Sequence, residues 1–320
     1  MQVQSTYRSL LFAGLGIAAS ACGQTGGARI DPPAFDQDRA FADLRHLVEV
    51  IGERRIDTPG AAATRAYIRK QLEPHGWELE EQSFPVTPPE GARRKGELTG
   101  VNVLARRPGT VPGEIWIASH YDTYDLPGFV GANDGGSTTA ILIELARQLG
   151  GKGLREGRTV VLAWFDGEER FTPEPWDDET NSTFGSRHAA STLKESGKLG
   201  DVQAFVLLDL AGDKDLGFYV EQRYQAAWLR QLVEQTARDL GWDGRDRILI
   251  GQRELKDDHM AFHKAGVPVL DLIDFNYGRN NAWWHTTDDT LDKCSAASLG
   301  KAGQLTLALL PRIETRLDSK

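Results

Sequence analysis

The sequence predicts an α/β fold, a three-layer sandwich in which a central mixed, mostly parallel twisted sheet lies between helices. Three observations carry that expectation. Strand-like and helix-like segments alternate along the chain. Several strand candidates are continuous apolar runs, as strands buried on both faces must be; the clearest is Val160 to Phe165 in TVVLAWFDGEE. Acids and histidines recur just after these runs, where ligands gather beyond the carboxyl ends of the strands.

The elements follow in order. Residues 1–21, MQVQSTYRSLLFAGLGIAASA, carry Arg8, then an apolar stretch from Leu10 to Ala19, then Ala19-Ser20-Ala21. A charged start, an apolar stretch too short to cross a bilayer and a small-residue cleavage point make a signal peptide. The expected location is therefore periplasmic or secreted. Cys22 directly after the cleavage point is where a lipid anchor would sit, making the chain a lipoprotein. Residues 22–34 read as a linker rich in glycine and proline, and 35–320 as a single catalytic domain. Within it Phe41, Leu44, Leu47, Val48 and Ile51 repeat at helical spacing, and 61–72 form a second amphipathic helix. Strands are expected at 77–86, 101–106 and 114–119, a helix at 137–149, and a strand at 159–165. A helix near 187–195, a strand at 204–210, a helix at 226–240, a strand at 267–273 and a helix at 296–310 complete the series.

Composition narrows the function. The 320 residues are 40% apolar and 26% charged, with a formal charge of −9. Nucleic acid would want a basic face, so it is excluded as a partner, and no membrane contact is expected beyond an anchor at Cys22. The other cysteine is Cys294. A chain of this size buries enough core without disulfides, so cysteine chemistry does not carry the function.

The residues after the apolar runs are His120 and Asp122 (IWIASHYD), Glu168 and Glu169 (FDGEE), and Asp209 (AFVLLDL), with Asp134 in GANDGGS and His285 in AWWHTTDD. Singly each has a plain structural use: Asp134 as a helix cap, Asp209 as a turn residue, His285 as a core histidine. Together at one sheet edge they point to a metal centre. Asp134, Glu169 and His285 offer two oxygens and one nitrogen, a set suited to a catalytic zinc that keeps one open position. Adjacent residues leaving a strand point in different directions, so only one glutamate of the doublet can ligate comfortably. Glu169 is assigned to the metal. Glu168, desolvated among acids, is assigned to general acid/base work, because burial and like charges raise a carboxyl toward the useful range.

Seven motifs stand in the order found in the zinc aminopeptidase superfamily: His120-Tyr121-Asp122, Asn133-Asp134-Gly135, Gly167-Glu168-Glu169, Gly185-Ser186-Arg187-His188, Leu208-Asp209, Asp257-Asp258-His259 and Trp284-His285-Thr286. Within that superfamily the chain resembles the animal-type glutaminyl cyclases, from about residue 44 to 310. The resemblance implies an aminopeptidase-like sandwich. In the aminopeptidase branch the residues matching His120, Asp134, Glu169, Asp209 and His285 hold two zincs. Cyclases keep these residues but hold one metal through Asp134, Glu169 and His285, leaving His120 and Asp122 to a second metal or to support.

Three features favour the cyclase. The insertion ERFTPEPWDDETNSTF after the doublet is similar to a tryptophan-bearing pocket loop, with Trp176 as its apolar face. Asp257 matches an extra acid that cyclases link with the catalytic glutamate and with Asp209. Trp284 resembles the tryptophan that lines their pocket. The chain departs from the pattern in the longer loop after Glu169, in the polar stretch at 276–282 and in lacking the animal enzymes' disulfide. The resemblance thus implies a monomer with one zinc that converts the N-terminal glutamine of peptides or proteins to pyroglutamate and releases ammonia. The alternatives are an exported di-zinc aminopeptidase and, third, a non-catalytic binding module on the same fold.

Overall fold

A computed structural model of the chain describes residues 29–173, 180–242 and 247–319. The expected signal peptide, Cys22, the first part of the linker and Trp176 lie outside the described residues. The chain opens with α1 (Gln37–Arg45), which runs into a π-helical turn (His46–Ile51), so the first periodic stretch forms one continuous helical unit of two geometries. α2 (Pro59–Leu72) follows, with the Thr58 hydroxyl accepting the Ala61 N–H and Pro59 at the first helical position. Then come β1 (Glu78–Val86), β2 (Leu98–Arg107), β3 (Gly109–His120), α3 (Thr138–Leu149) and β4 (Arg155–Phe165). The second half contains α4 (Phe184–Glu195), β5 (Val202–Asp209), β6 (Phe218–Glu221), α5 (Ala227–Asp239), β7 (Ile248–Gly251), α6 (His259–Lys264), β8 (Val269–Ile273) and α7 (Ala296–Asp318).

The strands form one sheet in the order β1-β2-β4-β3-β5-β8-β6-β7. Its centre is parallel, through β4–β3, β3–β5 and β5–β8, and β6–β7 is parallel too; β1–β2, β2–β4 and β6–β8 are antiparallel. The sheet is thus mixed with a parallel core, as expected. Alternate residues of the central strands enter opposite cores. Ile115, Ile117, Val160, Leu162, Ala204 and Val206 pack with residues of α1, α2, α3, α5 and α7. Trp116, Ala118, Val161, Ala163, Phe205 and Leu207 pack with Ala189 and Leu193 of α4 and Phe262 of α6. Both faces of the sheet are therefore covered, which is why these strands read as unbroken apolar runs.

No periodicity in the sequence announces the short β6, β7 and α6. Four or six residues are too few to display a hydrophobic period.

Candidate active site

Four adjacent strands deliver the site. β4, β3, β5 and β8 end along one edge of the sheet, where His120 is opposite Phe165 and Asp209 is opposite Ile273. β4 stops at Phe165, and Gly167 turns the chain in left-handed backbone at φ 67°. A Cβ at Gly167 would lie 2.9 Å from Ile56 Cδ1, so both backbone and space ask for glycine. The glutamate doublet follows at once. Asp122 fixes it: Oδ1 accepts the Glu168 N–H at 3.1 Å and Oδ2 accepts the Glu169 N–H at 3.2 Å. The insertion leaves and rejoins at a closed stem. Thr183 N–H donates to the Glu168 carbonyl, and Asn181 Oδ1 accepts the N–H groups of Phe171 and Thr172.

Asp134 enters from the turn before α3, with φ −78° and ψ 105°, and the next residue, Gly135, is left-handed at φ 74°. Asp289 grips this turn from the far side. It accepts the N–H of Asn133 at 2.8 Å and of Asp134 at 3.0 Å, and the Tyr277 hydroxyl donates to it at 2.6 Å. His285 also has left-handed backbone, at φ 55°. Its ring is stacked between Tyr124, with centroids 4.2 Å apart, and Trp284, at 3.9 Å.

Two ligand triads result, sharing Asp134. His285 Nε2 lies 3.0 Å from Glu169 Oε2 and 3.4 Å from Asp134 Oδ2. His120 Nε2 lies 3.2 Å from Asp134 Oδ1 and 3.3 Å from Asp209 Oδ1. Each triad, Asp134–Glu169–His285 and His120–Asp134–Asp209, could close on a metal ion. Both His120 nitrogens, Asp134 Oδ2 and both Glu169 carboxylate oxygens are buried without a hydrogen bond of acceptable geometry. Proteins rarely leave such groups unsatisfied; cations at the two triads would satisfy His120 Nε2, Asp134 Oδ2 and the Glu169 carboxylate, while His120 Nδ1 faces Asp122 at 3.5 Å. Carboxylate oxygens with imidazole nitrogens suit zinc.

The electrostatics agree. Burial, and then the neighbouring Glu169, pushes Asp134 up to about 6; burial pushes Glu169 itself well above the usual carboxylate range. Burial also takes His285 down to about 4. At His120 burial works downward, but Asp122, Asp134 and Asp209 together carry the imidazole well above its ordinary value. A cation among these groups would relieve the repulsion that raises the carboxyls.

Beside the triads lies a cavity of about 690 Å³ lined by Asp134, Glu168, Asp209, Asp257, Trp284 and His285, among others. Burial, and then the charge of Asp257, holds the Glu168 carboxyl well above its usual range. Asp257 is raised in turn by burial and by Asp209 and Asp258. Each site residue expected from sequence within the described residues thus reaches this one place. Asp122 supports the backbone of the doublet, and Asp209 belongs to both the second triad and the acid cluster.

Comparison with known proteins sharpens the assignment. Residues 102–310 match peptidase family M28. The chain belongs to that family. A glutaminyl-peptide cyclotransferase of Drosophila melanogaster is 30% identical to this M28 chain over 313 residues, covering 89% of the chain and 84% of the relative. The crystal structure of an Acidobacteriales bacterium glutaminyl cyclase superposes with a TM-score of 0.79 at 34% identity, covering 92% of this chain and all of that one. A Zn-dependent exopeptidase from Parabacteroides distasonis superposes at 0.74 with 26% identity, covering 87% of this chain and 98% of that one.

The M28 chain also uses residues that the sequence reading did not single out. Asp289 stands four residues beyond His285 in AWWHTTDD, and that position was its only sequence cue. Arg54 is buried and donates to the carbonyls of Gly52, Tyr121, Val130 and Gly131 at 2.7–3.0 Å, tying the segment after β3 to the turn that carries Asp134. Burial lowers it to about 10, still charged at neutral pH. Arg170 stacks over Tyr124 and Trp284. Nothing in the local sequence announces Arg54 or Arg170.

Proposed function

We propose that this M28 chain is a glutaminyl-peptide cyclotransferase that converts the N-terminal glutamine of peptides or proteins to pyroglutamate with release of ammonia. The observation that carries the reading is the pairing of Glu168 with a second buried acid, Asp257, in the same cavity as the metal ligands. Hydrolysis needs one base. Cyclisation moves a proton from the substrate's own amine to its own leaving nitrogen, and a cluster of raised carboxyls suits that transfer. The named relatives support the same reading.

Asp134, Glu169 and His285 would hold one zinc per chain. When bound, it supplies Lewis acidity toward the γ-amide carbonyl of the glutamine. Glu168 takes a proton from the α-ammonium, leaving the amine free to attack the side-chain Cδ. As the new C–N bond forms and the old one breaks, Glu168 returns that proton to the departing nitrogen. The second proton shed by the attacking nitrogen leaves with it, so the products are the lactam and an ammonium ion. Asp257 holds the proton path by keeping Glu168 in its raised state, and Asp209 acts in turn on Asp257. Trp284, with Trp176, would form the apolar wall that folds the glutamine back on itself and keeps water from the carbonyl.

The test is mass spectrometry of a Gln-initiated and a Leu-initiated peptide after incubation with the zinc-loaded enzyme. The first should lose ammonia with every peptide bond intact, and the second should be unchanged. A shortened peptide with a free amino acid, and no ammonia loss above the spontaneous background, refutes the cyclase. A second reading has one specific observation behind it: the His120–Asp134–Asp209 triad could hold a second metal, as a di-zinc aminopeptidase requires. Two tightly held metals, both needed for activity, would favour that enzyme.

The reading extends to an exported protein, on the strength of Arg8, the apolar stretch to Ala19 and Ala19-Ser20-Ala21, with Cys22 available for an anchor. It extends to a monomer as well. Among the described residues the exposed large apolar side chains are Val50, Leu154 and Leu249, which lie far apart in the sequence.

A further inference from the structure

The cavity changes sign along its walls. Glu168, Asp209 and Asp257 line it beside the metal ligands, while Arg170, Arg253 and Lys256 also face it. On a chain of formal charge −9 this concentration of cations is out of character. Two of them are mounted in the same way. The Arg253 guanidinium lies over the ring of Phe275, 4.7 Å from its centroid, and that of Arg170 over the ring of Trp284, at 5.3 Å. The two rings meet edge to face, with centroids 5.1 Å apart and planes at 72°. An aromatic pair thus carries a guanidinium on each member.

Arg170 is engaged within the wall, its Nη1 donating to the Pro173 carbonyl at 2.6 Å and its Nη2 lying 3.4 Å from His285 Nδ1, so it contributes positive charge. The stacked guanidinium of Arg253 keeps edge N–H donors suited to reading a carboxylate through two parallel hydrogen bonds. The Arg253 backbone N–H is taken by the Tyr219 hydroxyl, which fixes the chain beneath the side chain. The neighbouring acid, Glu254, is engaged by Arg223 and by the Tyr224 hydroxyl at 3.0 Å. Arg253 itself is exposed.

We infer that Arg253, with Arg170 beside it, selects substrates bearing a carboxylate one or two residues beyond the N-terminal glutamine. This rests on the cyclotransferase reading, in which the α-amine is held by the buried acids and the rest of the peptide leaves past the exposed wall. The bound peptide then sets its positive end against Glu168, Asp209 and Asp257 and its negative group against the arginines. Two sources offer that chemistry, an acidic side chain and the free C-terminus of a very short peptide.

The experiment compares kcat/KM for ammonia release from C-terminally amidated peptides that begin Gln-Glu, Gln-Ala and Gln-Lys, with Gln-Ala dipeptide as free acid and as amide. The full-length zinc-loaded protein and its Arg253→Glu variant are used. The wild type should prefer Gln-Glu to Gln-Lys by roughly 10-fold, the size expected when one solvent-touching charge pair is exchanged for a repulsive one. The difference should sit in KM and shrink at high salt. Arg253→Glu should reverse the order, and because the readout is a ratio within one enzyme, partial loss of folded protein does not affect it. A gain for Gln-Glu assigns the carboxylate to a side chain, and a gain for the dipeptide acid over its amide assigns it to a C-terminus. Equal rates for all substrates, or one order shared by wild type and variant, would overturn the inference and leave the cyclase intact. Ammonia release from none of them would overturn both.

Discussion

Asp289 offers the most direct test of how the candidate metal centre is held. It is fully buried and takes three donors: the backbone N–H groups of Asn133 and Asp134 and the Tyr277 hydroxyl. Asp289→Ala removes the acceptor for all three. A buried donor left unsatisfied costs about 1–3 kcal/mol, and water entering the vacated space would hold each near the lower end, so the sum is about 3–5 kcal/mol. Set against a typical total of about 5–15 kcal/mol, that is a large fraction of the stability. Asp289→Asn is more discriminating. Its oxygen can replace Oδ1, which serves Asn133 and Tyr277, but its NH₂ then faces the N–H of Asp134. Stability should fall by only about 1–2 kcal/mol, while Asp134, a candidate ligand, loses its backbone anchor. Disturbing the group behind a ligand typically lowers metal affinity about 10–100-fold. Urea denaturation measures the first effect, and zinc competition against a chelating dye the second. An Asn variant with wild-type zinc affinity, or an Ala variant within about 0.5 kcal/mol of wild type, would refute the reasoning.

Three further outcomes follow from the same geometry. Glu168→Gln should keep its metal and fold but lose turnover by roughly 10²–10⁴-fold, the usual worth of general acid/base catalysis, measured by steady-state rates and elemental analysis. Glu169→Gln should lose metal affinity first, and the opposite pattern in these two variants would reverse their roles. The third concerns pH and stability. Glu144 on α3 is raised by burial, but hydrogen bonds from Arg39, Gln148 and Arg147 outweigh this and hold its carboxyl below the usual range. A depressed folded pKa contributes stability that is present above the unfolded value and lost as pH falls through the folded one. The stability gap between wild type and Glu144→Gln, read from denaturant melts, should therefore be full at neutral pH and close in acid; a gap that widens in acid would contradict it.

Sequence made the parallel core legible because β3, β4, β5 and β8 are buried on both faces and their apolar runs admit little else. It made the doublet and its partners legible because ligands must sit where those runs end. The rest depended on contacts that no local pattern encodes. Asp289 acts on a turn 155 residues away. Arg54 acts through four carbonyls and looks like any other arginine in GERR. The polar stretch at 276–282, a departure from the cyclase pattern, has a backbone cause. Gly278, Asn280 and Asn281 all have positive φ, and asparagine tolerates that region best after glycine. Asn281 also accepts the Tyr277 N–H at 2.9 Å, so the side chain serves the turn. Of the three short elements, β6 and α6 are settled by packing, since Phe218, Val220 and Phe262 are fully buried, and β7 by its parallel pairing with β6.

Asp122 holds both N–H groups of the doublet with one carboxylate. Such a fork makes two chemically separate tasks into a single mutational target. A change at Glu168 can alter proton transfer alone, and a change at Glu169 can alter the metal alone. Any change at Asp122 tilts both backbones together, so the losses it causes cannot be repaired at either glutamate independently. Compensating substitutions would have to restore the fork itself, which confines the neutral paths open to this corner of the fold to those that preserve a two-oxygen acceptor at the end of β3.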